Sequence, residues 1–266
     1  MRFRRLAPLA VGLGVLALPH AAGAQATGDQ ATLTFGVSLG VVGGKDLWSV
    51  RAQPVQFTDQ ADTLTLSRTI PSNFAVAFSG SYFPGATLGL AVEGFLIGLG
   101  FEDSCRLAFS SGSGAVASAC ESIQGATKSA SAVYLSAGPV GRINSRKPLS
   151  PYARAQVGLV FSNQSSLRTI GEFPTGGGLA ALIVYDDDHD SRVAPAFVLG
   201  AGVTAAIAKG YQLRWEVRDN IMGVQKVTGP SLQSGVVPPH ELEFKHLFSM
   251  TVGFDVLLER RRGRRY

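Results

Sequence analysis

In residues 210–220, GYQLRWEVRDN, apolar Leu213, Trp215 and Val217 alternate strictly with polar Gln212, Arg214, Glu216 and Arg218. Successive side chains of a strand point to opposite faces, whereas a helix would scatter this set around its circumference, so a period of two reads as a two-faced strand. Two environments accept such a strand. A soluble sandwich puts the apolar face in a core and the charges in water; a transmembrane barrel puts the apolar face in lipid and the charges inside.

The pattern recurs along the chain. In ATLTFGVSLGVVGG, Leu33, Phe35, Val37, Leu39 and Val41 oppose Thr34, Gly36, Ser38 and Gly40. NFAVAFSGSYFPG sets Phe74, Val76, Phe78 and Tyr82 against Asn73, Ala75, Ala77, Ser79 and Ser81 and closes on the turn signal Pro84-Gly85. LGLAVEGFLIGLGF follows at once, so the two form a hairpin. Here Glu93 shares a face with Gly89 and Ala91, and farther along Phe95 and Ile97 join that face.

After a long polar stretch come SASAVYLSAGPVGRI, a turn at NSRKPLS, and PYARAQVGLVF, in which Tyr152, Arg154, Gln156 and Gly158 oppose Ala153, Ala155, Val157, Leu159 and Phe161. APAFVLGAGVTAAIA, the turn Lys209-Gly210 and the segment quoted first make another pair. HLFSMTVGFDVLL ends the series, with Phe248, Met250, Val252, Phe254 and Val256 facing away from Ser249, Thr251, Gly253 and Asp255.

Eight such strands are joined by long and short connections in regular alternation. Outer-membrane barrels have this asymmetry, with short periplasmic turns and longer external loops, whereas a sandwich gives no reason for it. The expected fold is therefore all-β, an eight-stranded antiparallel up-and-down transmembrane β-barrel. DTLTLSRTI at 62–70 and GLAALIVY at 178–185 can each extend the wall, which would make ten strands. The external loops are expected at 45–72, 102–127, 162–193 and 221–245.

The faces support the same choice. The non-bulky face carries Gly, Ala and Ser with few charges, which suits a narrow lumen filled by side chains. A soluble sandwich would line that face with Lys and Glu. Only 16% of residues are charged, against a usual value of about 25%. An isolated charge is costly in a confined interior, so Glu93, Arg154, Arg214, Glu216 and Arg218 are expected to point inward as a paired luminal network.

The N-terminus reads as a leader: MRFRR is basic, LAPLAVGLGVLAL is apolar, and AAGA before Gln25 offers the small residues of a cleavage site at Ala22 and Ala24. The expected organisation is a signal peptide at 1–24, a barrel domain at 25–258 and a basic C-terminal tail at 259–266. Three arginines lie in the leader and five in RRRGRRY, leaving 16 basic against 19 acidic residues between. The high pI comes from the ends, and no basic patch interleaved with aromatics marks a nucleic-acid partner.

Taken together, SYFPGATLGLAVEGF, PYARAQVGL, LGAGVTAAIAKGYQLRWEVRD and HLFSMTVGFDVLL resemble the small outer-membrane β-barrel superfamily that includes the OmpA transmembrane domain and opacity-type porins. The resemblance covers nearly the whole mature chain. It implies residence in the outer membrane of a diderm bacterium after export to the periplasm, in contact with outer-membrane lipids and lipopolysaccharide. The last strand resembles the sorting signal of that class, with Thr251, Gly253, Val256 and Leu258 in its positions, and so implies recognition by the barrel-insertion machinery. The family usually stops at an aromatic residue in that strand, whereas this chain continues through ERRRGRRY.

Cys105 and Cys120 fall in one long connection of an exported chain and are expected to form a disulfide. YDDDHDSR at 185–192 is densely acidic but lacks the EF-hand spacing, so it reads as a solvated loop rather than a metal site. No cofactor is implied. Outer-membrane lipid deacylases, an eight-stranded relative, carry a His and a Ser on a late strand, which draws attention to His246 and Ser249; KHLFSM lacks their His-x-Ser-Asn order and puts the two on opposite faces. No catalytic residue is assigned. The expected role is structural, adhesive or interactive through the external loops, which are where an extracellular ligand would bind. The alternatives are a small gated pore through the lumen, a secreted lipocalin-like lipid-binding barrel with the bulky faces inside, and a lipid-modifying outer-membrane enzyme.

Overall fold

The computed structural model describes residues 32–259, apart from 58–59, 109–113, 129, 144, 146, 164–166, 187–192, 228 and 230–240. The expected leader at 1–24, the tail beyond Glu259 and most of the acidic stretch at 185–192 lie outside the described residues.

Eight strands make the barrel: β1 (Thr32–Val42), β4 (Asn73–Phe83), β5 (Leu88–Gly98), β8 (Ser131–Arg142), β9 (Leu149–Ser162), β12 (Val193–Ala208), β13 (Tyr211–Gln225) and β14 (Leu242–Glu259). Each pairs antiparallel with its neighbours, and β1 closes the ring by pairing with both β4 and β14. The short connections lie at one end, together with the start of β1 and the end of β14. The tightest is Lys209-Gly210, where Gly210 takes φ 81°, a left-handed conformation that a two-residue hairpin turn requires and glycine adopts without strain.

Burial follows the period of two. On β13, Trp215 is 41% exposed on the outside, while Arg214, Glu216 and Arg218 are 6%, 2% and 1% exposed inside. Phe35, Phe78, Leu90, Leu135, Val157, Leu199 and Phe254 likewise point outward. This inverts a lipocalin, whose bulky residues would surround an internal ligand. A closed wall that pairs its backbone strand to strand and faces outward with Leu, Val and Phe is the geometry that hydrocarbon demands, because lipid cannot hydrogen-bond an unpaired N–H or C=O.

The structure corrects the strand and loop assignments at the other end. Three of the long connections are folded rather than irregular. They hold β2 (Lys45–Phe57), β3 (Gln60–Ile70), β6 (Phe101–Leu107), helix α1 (Ala115–Ile123), β7 (Thr127–Lys128), β10 (Thr169–Thr175) and β11 (Gly178–Tyr185). Residues 62–70 and 178–185 are strands, but they do not widen the wall to ten. The first lies in a sheet of order β2-β3-β6-β7 and the second in the hairpin β10-β11. The fourth connection is shorter than 221–245, because β13 and β14 continue pairing to Gln225 and from Leu242.

These elements form a cap. Leu47, Val50, Leu64, Leu66 and Ile70 of the cap sheet pack in one apolar cluster with Phe95, Ile97, Tyr134, Val160, Met222 and Leu247 of the barrel strands. Inside the cap, Arg68 and Asp103 form a buried bidentate pair at 2.6 and 2.8 Å. Cys105 on β6 and Cys120 on α1 are joined by a disulfide, with Cα atoms 5.4 Å apart, so the helix is tied to the sheet.

Two outcomes are expected. Val217 lies about midway along the apolar face of β13, so Val217→Arg should destabilise the folded barrel by about 2–4 kcal/mol in urea titrations in lipid vesicles. Cys105→Ser with Cys120→Ser should cost the cap about 3 kcal/mol of loop-closure stabilisation; limited proteolysis should then cut within 102–127 while the barrel strands stay protected.

Candidate functional site

The alternation of β13 aims three charged side chains at the barrel axis, and β5 and β9 each add one. Arg154 on β9 pairs with Glu93 on β5 through Nη1 at 2.9 Å and with Glu216 on β13 through Nε at 2.7 Å. Arg218 reaches the same two carboxylates, Glu93 through Nη1 at 2.6 Å and Glu216 through Nε at 3.3 Å. Two guanidinium groups and two carboxylates therefore form a closed ring across the lumen. Tyr152 donates its hydroxyl to Glu216 Oε2 at 2.6 Å, and the Arg218 guanidinium lies 4.6 Å from the centre of the Phe95 ring.

Arg214 stands outside this ring, toward the short-turn end. It donates to Ser79 Oγ at 3.0 Å and lies 3.5 Å from Asp255, whose other oxygen accepts from Gln212 at 3.2 Å. The five charges read from the sequence thus divide into a ring of four and a separate pair made by Arg214 with Asp255. Asp255 was legible as a member of the inward face of β14, but not as a partner. With it, three arginines face three acids at these levels of the lumen, and Arg142 lies beyond them near the turn end.

Room for these side chains comes from glycine. A Cβ on Gly200 would sit 2.4 Å from Glu216 Oε1 and 3.2 Å from Arg154 Nε, and one on Gly36 would overlap Asp255 Oδ1. A small residue opposite each large charged one lets a narrow interior fill without voids.

Above the ring, toward the cap, Phe95, Ile97 and Tyr134 are almost fully buried and close the lumen with apolar groups. This explains why Phe95 and Ile97 share the parity of Glu93: the inward face of β5 changes from charge to hydrocarbon where the barrel meets the cap. Asn220 bridges this level by donating to Leu247 O and Ser249 Oγ, both at 2.9 Å.

His246 and Ser249 do not meet. Ser249 is buried inside with Asn220, whereas the exposed His246 ring contacts Asp219 at 2.7 Å on the outer wall. Among the described residues, no group of three or more His, Cys, Asp or Glu side chains is placed to hold a metal ion.

No family model and no curated protein matches the sequence. The fold is similar to solved structures. Neisserial surface protein A superposes with a TM-score of 0.42 at 11% identity, covering 86% of this chain and 99% of the other. The outer membrane protein OprG of Pseudomonas aeruginosa gives 0.43 at 8% identity over 88% and 98%. Ail, the attachment invasion locus protein of Yersinia pestis, solved with the heparin analogue sucrose octasulfate, gives 0.40 at 11% identity over 86% and 99%. At these identities the likeness is one of fold alone.

Glu93 is the carboxylate that Arg154 and Arg218 share. Glu93→Gln leaves two buried guanidinium groups to share the one carboxylate of Glu216 and should cost about 3–5 kcal/mol of unfolding free energy. Adding Arg218→Gln should recover part of that loss in the same vesicle-based titration.

Proposed function

We propose that this chain is an outer-membrane surface protein in which the barrel is the anchor and the folded cap is the interaction element. The observation that carries this reading is the filling of the lumen. The balanced charge ring and the apolar plug of Phe95, Ile97 and Tyr134 occupy successive levels of the interior, so among the described residues buried side chains fill the lumen at both levels. The elaborated part of the molecule lies at the end of the long connections, which face outward from the cell in barrels of this design.

The cap suits recognition because its fold is fixed by burial. Its inward face shares a core with the barrel mouth, and its other face exposes Ser49, Thr65, Glu102, Ser104 and Arg106. Across β2, β3 and β6, that face presents Ser49, Ser67 and Ser104 in register, with Thr65, Glu102 and Arg106 around them. The Ser67 and Ser104 hydroxyls meet at 2.7 Å. A row of hydroxyls with sparse charge suits a polar, hydrated partner rather than a greasy one. The outer wall meets lipid and lipopolysaccharide, and β14 carries the sorting-signal positions Thr251, Gly253, Val256 and Leu258 toward the insertion machinery.

The gated pore is the competing reading, favoured by one feature: Arg154 and Arg218 each contact both Glu93 and Glu216, so an exchange of partners is geometrically simple. Planar-bilayer recording separates the two. The anchor reading expects no conductance steps from the wild type; regular steps that change with Arg218→Gln would replace it with the pore. For the cap, cells displaying the chain should be retained on beads coated with neutral polysaccharide, and Thr65→Glu with Ser104→Glu should reduce retention at least tenfold. Equal retention of both on polysaccharide-coated and bare beads would reject the assigned face.

A further inference from the structure

The hairpin of β10 and β11 has one covered edge and one bare edge. Pro174 has no N–H, so its pair with Leu179 cannot exchange hydrogen bonds, and the ladder bonds fall to the alternate pairs Thr175–Gly178, Phe173–Ala180 and Gly171–Leu182. The N–H of Glu172 accordingly points away from β11 and donates to Ser122 Oγ on α1 at 2.7 Å. By the same alternation, the N–H and C=O groups of Leu179, Ala181 and Ile183 point away from β10. Among the described residues, no hydrogen bond reaches them.

The bare edge is also apolar. The side chains of Leu179, Ala181 and Ile183 lie on the outer face, with Leu179 72% exposed, whereas Leu182 and Val184 turn into the cap core. No charge falls between Gly176 and Tyr185. Elsewhere the edges of the cap are blunted against pairing. β2 carries Pro54, a register break between Val50 and Gln53, and Ala52 in a left-handed conformation at φ 56°; β7 is only two residues long.

We infer that β11 is a self-association surface, on which β11 of a second copy of this chain pairs antiparallel about a two-fold axis through Ala181. The strand is complementary to itself in that register. Ala181 meets its own symmetry copy, Leu179 meets the copy of Ile183, and each outward N–H and C=O of the three residues finds its partner. Small side chains face each other at the axis with branched ones on either side, and no like charges are opposed. Gly178 falls opposite the copy of Val184, whose carbonyl accepts from Gln53 Nε2 at 3.2 Å. A Cβ on Gly176, Gly177 or Gly178 would meet nothing within 4 Å, so the hairpin tip leaves room where β2 crowds the edge. Each hairpin contributes its one bare edge, and the assembly closes at two copies. The polar face of β2, β3 and β6 shares no residue with this edge, so the pairing stands whether or not that face binds a polysaccharide.

The test uses the full chain in detergent micelles, with folding verified by the change in gel mobility on boiling. Sedimentation of the wild type should show a monomer–dimer equilibrium. Ala181→Lys and Ala181→Glu each set like charges opposite one another at the axis, and each should weaken dimerisation at least tenfold. An equimolar mixture of the two variants should restore the dimer, because opposite charges then meet, whereas a merely disrupted hairpin would gain nothing from mixing. A monomeric wild type, assemblies larger than two copies, dimers indifferent to both substitutions, or a mixture that stays monomeric would each overturn the proposal.

Discussion

The pairing of β1 with both β4 and β14 is the interaction on which the rest of the structure depends. An open sheet of these strands would leave two edges of unpaired N–H and C=O groups, and in hydrocarbon each such group costs several kcal/mol. Closure removes the edges. It also divides the side chains into two populations with nothing between them: outward positions meet lipid, and inward positions meet one another. The alternation of every barrel strand is the sequence's answer to that division.

Confinement governs the interior in turn. Eight strands enclose a space that side chains can fill, and a charge placed there is screened by little water. Glu93, Arg154, Glu216 and Arg218 satisfy this condition by sharing: each arginine touches both glutamates, and each glutamate touches both arginines. Such a ring is a device for register as much as for stability, since a slip of β13 by one residue would turn three buried charges into lipid. The glycines at 36 and 200 belong to the same arrangement, because each clears the volume that a charged partner occupies.

The cap shows how one core can serve two structural units. The apolar cluster runs from the inward faces of β5, β8, β12, β13 and β14 into the sheet of β2, β3 and β6 without a break. Arg68 lies within this region, paired with Asp103 and facing the rings of Trp48 and Phe101. Among the described residues, the barrel mouth therefore shares its core with folded connections. An interaction surface built in this way is presented with its geometry fixed.

Sequence alone determined the antiparallel barrel class, the two faces of its strands and the alternation of long and short connections, and it raised the expectation of the disulfide and of five inward charges, while leaving eight or ten wall strands open. These follow from local rules, since a period of two assigns every residue of a strand to a face once one of them is assigned. It did not determine which strands are wall and which are cap. DTLTLSRTI alternates as strictly as any barrel strand, and only its partners, β2 and β6, place it outside the ring. Nor did it pair Arg214 with Asp255, or show that Phe95 and Ile97 are a plug rather than a lapse in the pattern. Those depend on which residues from distant strands meet at the same height along the axis, a quantity set by register and closure and carried by no single segment.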